Sequence, residues 1–122
     1  MFLKCAPNVT QLGLLLFSSL LKKEVPRRNE PRLSESDKLA ECLCESAIKN
    51  FPGRRIRTDM SDGDMDWEEG FYILRKSWCP AVLTENFFMD NHSDLEYLQS
   101  RAGKQAIIDT HVEGIVESLS SL

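Results

Sequence analysis

The stretch Pro80-Ala81-Val82-Leu83-Thr84 constrains this chain's fold more than any other. A short apolar run behind a proline suits a buried strand, because proline is tolerated at a strand's first position. The run ends in a carboxylate, Glu85, with Phe87 and Phe88 close behind. A carboxylate is costly to bury. Glu85 is therefore either an exposed strand-end charge or a group placed there for chemistry.

Helical patterns bracket this strand. Leu39, Leu43 and Ala47 recur at helical spacing, Ala40 and Ile48 widen the stripe, and Ser34 with Asp37 has capping-box spacing. Pro52-Gly53 stops that helix, which is expected near 36–50. Ser93 and Glu96 form a second capping box that opens a short helix through Leu98. A long helix is expected over 104–119, with Ile108, Val112, Ile115 and Leu119 as its buried stripe. "GFYILRK" reads as a strand over 71–75 by its aromatic and β-branched content. The alternation predicts an α/β fold, a sheet flanked by helices, with 71–75 and 80–84 as neighbouring strands and the helices near 36–50 and 104–119 packed on it. Functional groups in such sheets commonly sit at carboxyl ends of strands, where Glu85 lies.

Residues 1–33 read as a separate segment. "QLGLLLFSSLL" (11–21) is too short for a membrane span, and "KKEVPRRNEPR" follows it without a small-residue cleavage site. The run is long enough for a signal-peptide core, but a packed or surface helix is expected there in preference to a signal segment, joined by a basic linker to the domain at 34–122. No cleavable signal peptide is evident, and membrane association is not expected. Between the helix near 36–50 and "GFYILRK", a short strand at "RRIR" leads into an acidic loop with six acidic residues from Asp59 to Gly70. "SDGD" fails as an EF-hand loop, since counting back from Gly63 places Met60 and Thr58 where oxygen-rich side chains belong. A solvated loop is expected.

The 122 residues suit one domain with a real core. A net charge of −4 argues against nucleic-acid binding, which leaves a basic footprint. Cys5, Cys42, Cys44 and Cys79 match no zinc ligand spacing and no disulfide framework, so thiols are expected.

"FYILRKSWCPAVLTENFFMDNHSDLEYL" resembles the C-terminal half of the zinc-dependent N-acetylmuramoyl-L-alanine amidases. Leu74-Arg75, Pro80 to Leu83, Glu85, Phe88, Asn91 and Leu98 fall on that family's pattern, and "GKQAIIDTHVEGIVESL" is similar to its last helix. The resemblance implies a partial amidase-type catalytic domain and a bacterial cell-wall hydrolase. Such a hydrolase cleaves the amide between the lactyl group of muramic acid and L-alanine. Zinc held by His, Glu and His would activate a water. Glu85 would be the catalytic carboxylate that takes the water's proton and returns it to the leaving amine. Arg75 and Asn91 would lie on the substrate side. Peptidoglycan would be the partner, and the cell envelope or extracellular space the location. The resemblance leaves the oligomeric state open.

The departures matter equally. The family's glycine two residues after the Glu is replaced by Phe87, which is expected to reshape the site edge. The family's zinc ligands lie upstream of the matched region. The two histidines here, His92 and His111, do not fall on them. His92 is expected to face solvent, and His111 to be a packed or surface histidine on the last helix. The chain thus reads as truncated and without zinc ligands. It is expected neither to hold zinc nor to act alone. The alternative is a non-catalytic remnant or pseudoenzyme that binds peptidoglycan fragments or a protein partner. A third class, a membrane-associated helix protein, depends on residues 11–21 only.

Overall fold

The structure is a computed structural model that describes residues 13–19, 30–57, 67–69 and 71–121. Its elements in chain order are β1 (Gly13–Ser19), α1 (Glu30–Asn50), β2 (Arg55–Arg57), β3 (Trp67–Glu69), α2 (Tyr72–Lys76), β4 (Leu83–Asn86), α3 (His92–Gln99) and α4 (Arg101–Ser120). The α/β class expected from the sequence is what the chain adopts.

β1 is the hub of the sheet. It pairs in parallel with β2 through Gly13–Leu15 and with β3 through Phe17–Ser19. It pairs antiparallel with β4 through Leu14–Phe17. Leu14 has partners in both β2 and β4, and Phe17 in both β3 and β4. A strand has two edges, so β4 takes one edge of β1 while β2 and β3 share the other end to end.

Residues 13–19 were expected as helix within a separate segment and are instead this central strand. A continuous apolar run carries no periodicity that separates a strand from a buried helix, and the partners on both edges decide it. The expected boundary at residue 33 also falls inside α1, which begins at Glu30. Pro31 thus occupies the helix's first turn, where a missing N–H is tolerated. Ser34 and Asp37 lie within the helix rather than at its cap. α1 ends where Pro52-Gly53 implied, with Gly53 at φ +76°, a conformation glycine adopts without a Cβ penalty.

Residues 71–75 were expected as a strand beside 80–84 but form the short helix α2. Both edges of β1 are already filled, and α2 buries Leu74 while Tyr72 and Ile73 stay exposed. The strand expected over 80–84 begins at Leu83 and runs through Glu85 to Asn86. β2 matches the strand expected at "RRIR". β3 lies inside the stretch expected as an acidic loop, and the rest of that stretch, with the rejected calcium loop, is outside the described residues.

The core joins Leu43, Cys44, Ala47 and Phe51 to Phe87, with Val82, Tyr97, Leu98, Ala106 and Ile107 packed against them. Fully burying one such apolar side chain is worth about 1.5–3 kcal/mol. α4 packs along α1 through an unexpected face. The stripe Ile108, Val112, Ile115 and Leu119 is 45–64% exposed, and Gly103, Thr110, Gly114 and Ser118 are buried instead. A Cβ on Gly114 would come within 2.9 Å of the Leu43 Cα, so the small residue allows a close helix crossing that the bulky stripe cannot. Ile48, expected to widen the α1 stripe, is exposed.

Candidate functional site

β4 carries Glu85. Side chains alternate across a strand, so Glu85 lies on the opposite face from Thr84 and Asn86. Glu85 is exposed, while Thr84 and Asn86 are half-buried. Thr84 Oγ1 lies 3.0 Å from His111 Nε2 on α4, and Ile107 O lies 2.7 Å from His111 Nδ1. A carbonyl oxygen only accepts, so His111 Nδ1–H donates to it. In the neutral ring Nε2 is then left as an acceptor for the Thr84 hydroxyl.

Beyond Glu85 the chain turns sharply. Phe87 has φ +61°, in the left-handed region that glycine favours. Its ring is 8% exposed and meets Phe51 edge-on at 5.2 Å and Tyr97 at 5.4 Å. The Arg54 guanidinium lies 4.2 Å from the centroid of the Tyr97 ring and 5.6 Å from that of Phe87. Phe87 therefore turns inward to the core. It does not line the edge of the site, where the sequence placed it.

Asp94 fastens this turn. It is fully buried, accepts the Phe88 N–H through Oδ2 at 3.1 Å, and faces Arg54 through Oδ1 at 3.5 Å. Neither residue was singled out from the sequence. A buried aspartate in the first turn of α3 gives no sequence signal of its partner forty residues away. Asn91 is the N-cap of α3: its Oδ1 accepts from the N–H groups of Ser93 and Asp94 at 3.0 and 3.2 Å. That cap supersedes the Ser93–Glu96 box read from the sequence, and α3 begins at His92. Asn91 thus has a structural task in addition to the substrate-side role the resemblance implies. Arg75 is on α2.

Among the described residues the donors do not fit a zinc site. His92 is exposed and lies 3.7 Å from Glu96. His111 sits on the α4 side of β4, away from the face that bears Glu85, with hydrogen-bond partners at both nitrogens. Among the described residues no group of three His, Cys, Asp or Glu side chains converges. Cys42, Cys44 and Cys79 are thiols, none in a disulfide, and Cys5 lies outside the described residues. Burial raises the Cys42 thiol above its ordinary pKa and keeps it in the neutral form. An apolar cavity between α1 and α4, lined by Leu39, Pro80, Ile115 and Leu119 among others, includes none of the expected site residues.

A family model described as N-acetylmuramoyl-L-alanine amidase (Amidase_3) matches residues 8–117. The chain is 42% identical over 50 residues to the N-acetylmuramoyl-L-alanine amidase CwlM of Bacillus licheniformis, a match spanning 41% of this chain and 20% of that protein. It is 40% identical over 48 residues to an endolysin of Bacillus phage SPP1, spanning 39% of this chain and 18% of that protein. Among solved structures it resembles the CwlD amidase of Clostridioides difficile, determined in complex with the GerS lipoprotein. There the TM-score is 0.67 at 19% identity, covering 98% of this chain and 52% of that one. It also resembles the amidase Ami1 of Mycobacterium smegmatis, with a TM-score of 0.69 at 22% identity, covering 93% and 49%. The chain therefore spans about half the length of these solved amidases and about a fifth of the curated relatives. The fold it shares with the solved structures is an amidase-type fold over part of the domain.

Proposed function

The chain belongs to the N-acetylmuramoyl-L-alanine amidase family, and from that premise we propose that it contributes the general base for hydrolysis of the muramoyl–L-alanine amide of peptidoglycan. The observation that carries this reading is the placement of Glu85, exposed on β4 while its neighbours Thr84 and Asn86 turn the other way. The carboxylate would accept a proton from the attacking water as oxygen adds to the lactyl carbonyl carbon. It would return that proton to the alanine nitrogen as the C–N bond breaks. Arg75 and Asn91 lie near it in sequence and would contribute on the substrate side.

General-base help is typically worth about a hundred- to ten-thousand-fold, short of the million-fold or more typical of enzymes. The remainder has to come from polarising the carbonyl and activating the water. In this family zinc does both, and this chain's own histidines do not fit it. In the chimera tested below, the zinc ligands would come from the solved amidase's portion and not from this chain. Peptidoglycan is the proposed partner, and the cell envelope or extracellular space the proposed location. Among the described residues no helix is long and apolar enough to cross a membrane.

A second reading rests on His111, whose ring is committed to Thr84 and Ile107. On its own the chain would act as a non-catalytic member of the family that binds peptidoglycan fragments or a protein partner. The test is a chimera in which this chain replaces the matching portion of a solved amidase, assayed by dye release from labelled peptidoglycan. The expected result is activity in the chimera and a loss of at least about a hundredfold in Glu85→Gln, with zinc content unchanged. Gln keeps the size of the side chain and loses the proton acceptor. A Glu85→Gln chimera with undiminished rate would remove Glu85 from the mechanism.

A further inference from the structure

We infer that His111, held as the neutral Nδ1–H tautomer, is a positioning residue that locks β4 through Thr84 and thereby sets the face on which Glu85 stands; this rests on the catalytic reading of Glu85. β4 is four residues long and meets β1 antiparallel without a tight turn between them. Register in such a pair is ordinarily fixed by a hairpin turn or by clear apolar alternation, and a slip of one residue moves every side chain to the other face. β4 has neither device: Leu83, Thr84 and Asn86 are all half-buried, and Glu85 is exposed. The segment around it is tied at its ends. Ala81 N–H donates to Ser36 Oγ at 3.1 Å, and Phe88 N–H donates to Asp94 Oδ2 at 3.1 Å. These ties lie outside the paired residues, in the loops before and after the strand.

Within the paired residues the Thr84 contact holds the strand to α4. The protons account for themselves along the chain of bonds. His111 Nδ1–H donates to Ile107 O, which leaves Nε2 to accept the Thr84 O–H. The Thr84 oxygen in turn accepts a long hydrogen bond, 3.5 Å, from the Asn86 amide. Thr84 and Asn86 flank Glu85 and are tied together on the α4 side. The carboxylate between them is directed to the opposite face by the pleat. The carboxylate's position opposite Leu15 is thus set by an imidazole that touches neither it nor a substrate.

The test uses the labelled 122-residue chain at neutral pH, by NMR. The imidazole nitrogens of His111 should report a proton on Nδ1 and a bare Nε2. Thr84→Val, which keeps the shape and removes the hydroxyl, should speed amide exchange at whichever of Glu85 and Asn86 donates to β1, since N–H groups of adjacent residues point to opposite edges, by about three- to tenfold, the loss expected for one hydrogen bond. It should also weaken the cross-strand contacts between Leu15 and Glu85. The Ala81 and Phe88 amides should keep their rates, because their partners are Ser36 and Asp94. Thr84→Ser should restore the wild-type pattern, and His111→Phe should reproduce Thr84→Val. A proton on Nε2 alone, unchanged β4 exchange in Thr84→Val, or equal acceleration at every amide would each overturn the inference. None of these readouts needs catalysis, so they fail or succeed independently of the Glu85→Gln assay.

Discussion

At Phe87 two energies oppose each other. A bulky residue in the left-handed region costs about 1–2 kcal/mol relative to glycine. Removing a phenylalanine from a packed cluster costs about 3–5 kcal/mol. The ring is buried against Phe51, Tyr97 and Arg54, so burial outweighs backbone strain. Phe87→Gly, which restores the glycine of the family pattern, should therefore destabilise the chain by about 2 kcal/mol in urea unfolding, the difference between those two figures. A stabilised variant would mean that the ring contributes less than its contacts imply. The same residue marks how far the sequence could be read. The departure from glycine was visible, but its consequence was not: whether Phe87 points to the site or into the core depends on Arg54 and Tyr97, which meet only after folding.

At the scale of elements, the α1–α4 contact is the most exposed to test. Gly114→Ala would gain about 1 kcal/mol of helix propensity. Its Cβ would lie 2.8 Å from Leu43 Cδ2 and 2.9 Å from Leu43 Cα, and a backbone atom cannot step aside as a side-chain end can. Overpacking typically costs about 1–3 kcal/mol, so the net change should be a loss. Val112→Lys, on the exposed stripe, should leave thermal stability nearly unchanged, within about 0.5 kcal/mol. The reverse ranking would restore the face expected from the sequence. The same two helices are clasped at Glu113, which accepts from Lys49 Nζ at 2.8 Å and from Asn50 Nδ2 at 3.2 Å. These donors, Lys49 first, hold its carboxyl below the ordinary value. A group whose folded pKa is lowered stabilises above its unfolded pKa and loses that contribution as pH falls through the folded pKa. Acidification through the carboxylate range should loosen the clasp. Because Glu113 is on the surface the change is small, and Glu113→Gln should remove this part of the pH dependence in parallel melts.

For the whole molecule the question is metal. Zinc sites of this kind need three or four convergent protein ligands, and affinity falls away without the full set. After dialysis of the isolated chain against a weak chelator, metal analysis should find far less than one zinc per chain. A stoichiometric ion would show that residues outside those described complete a site. Loading with zinc should likewise leave the melting temperature unchanged, since only a ligand bound by the folded state raises it.

The sequence by itself determined the helices near 36–50 and 104–119, the strand that delivers Glu85, the short helix before Gln99 and the family. Each rests on local information: a periodic stripe, a Pro-Gly stop, a motif contiguous in the chain, or a capping pattern that lay two residues past the true Asn91 cap. Tertiary structure decided the rest, because those features depend on distant partners. Residues 13–19 became a strand because β2, β3 and β4 hydrogen-bond to both its edges. Residues 72–76 became a helix in a fold where those edges were already taken. α4 turned Gly114 and small polar residues toward α1, leaving Ile108, Val112, Ile115 and Leu119 to solvent, because Leu43 on α1 comes too close at Gly114 for anything bulkier.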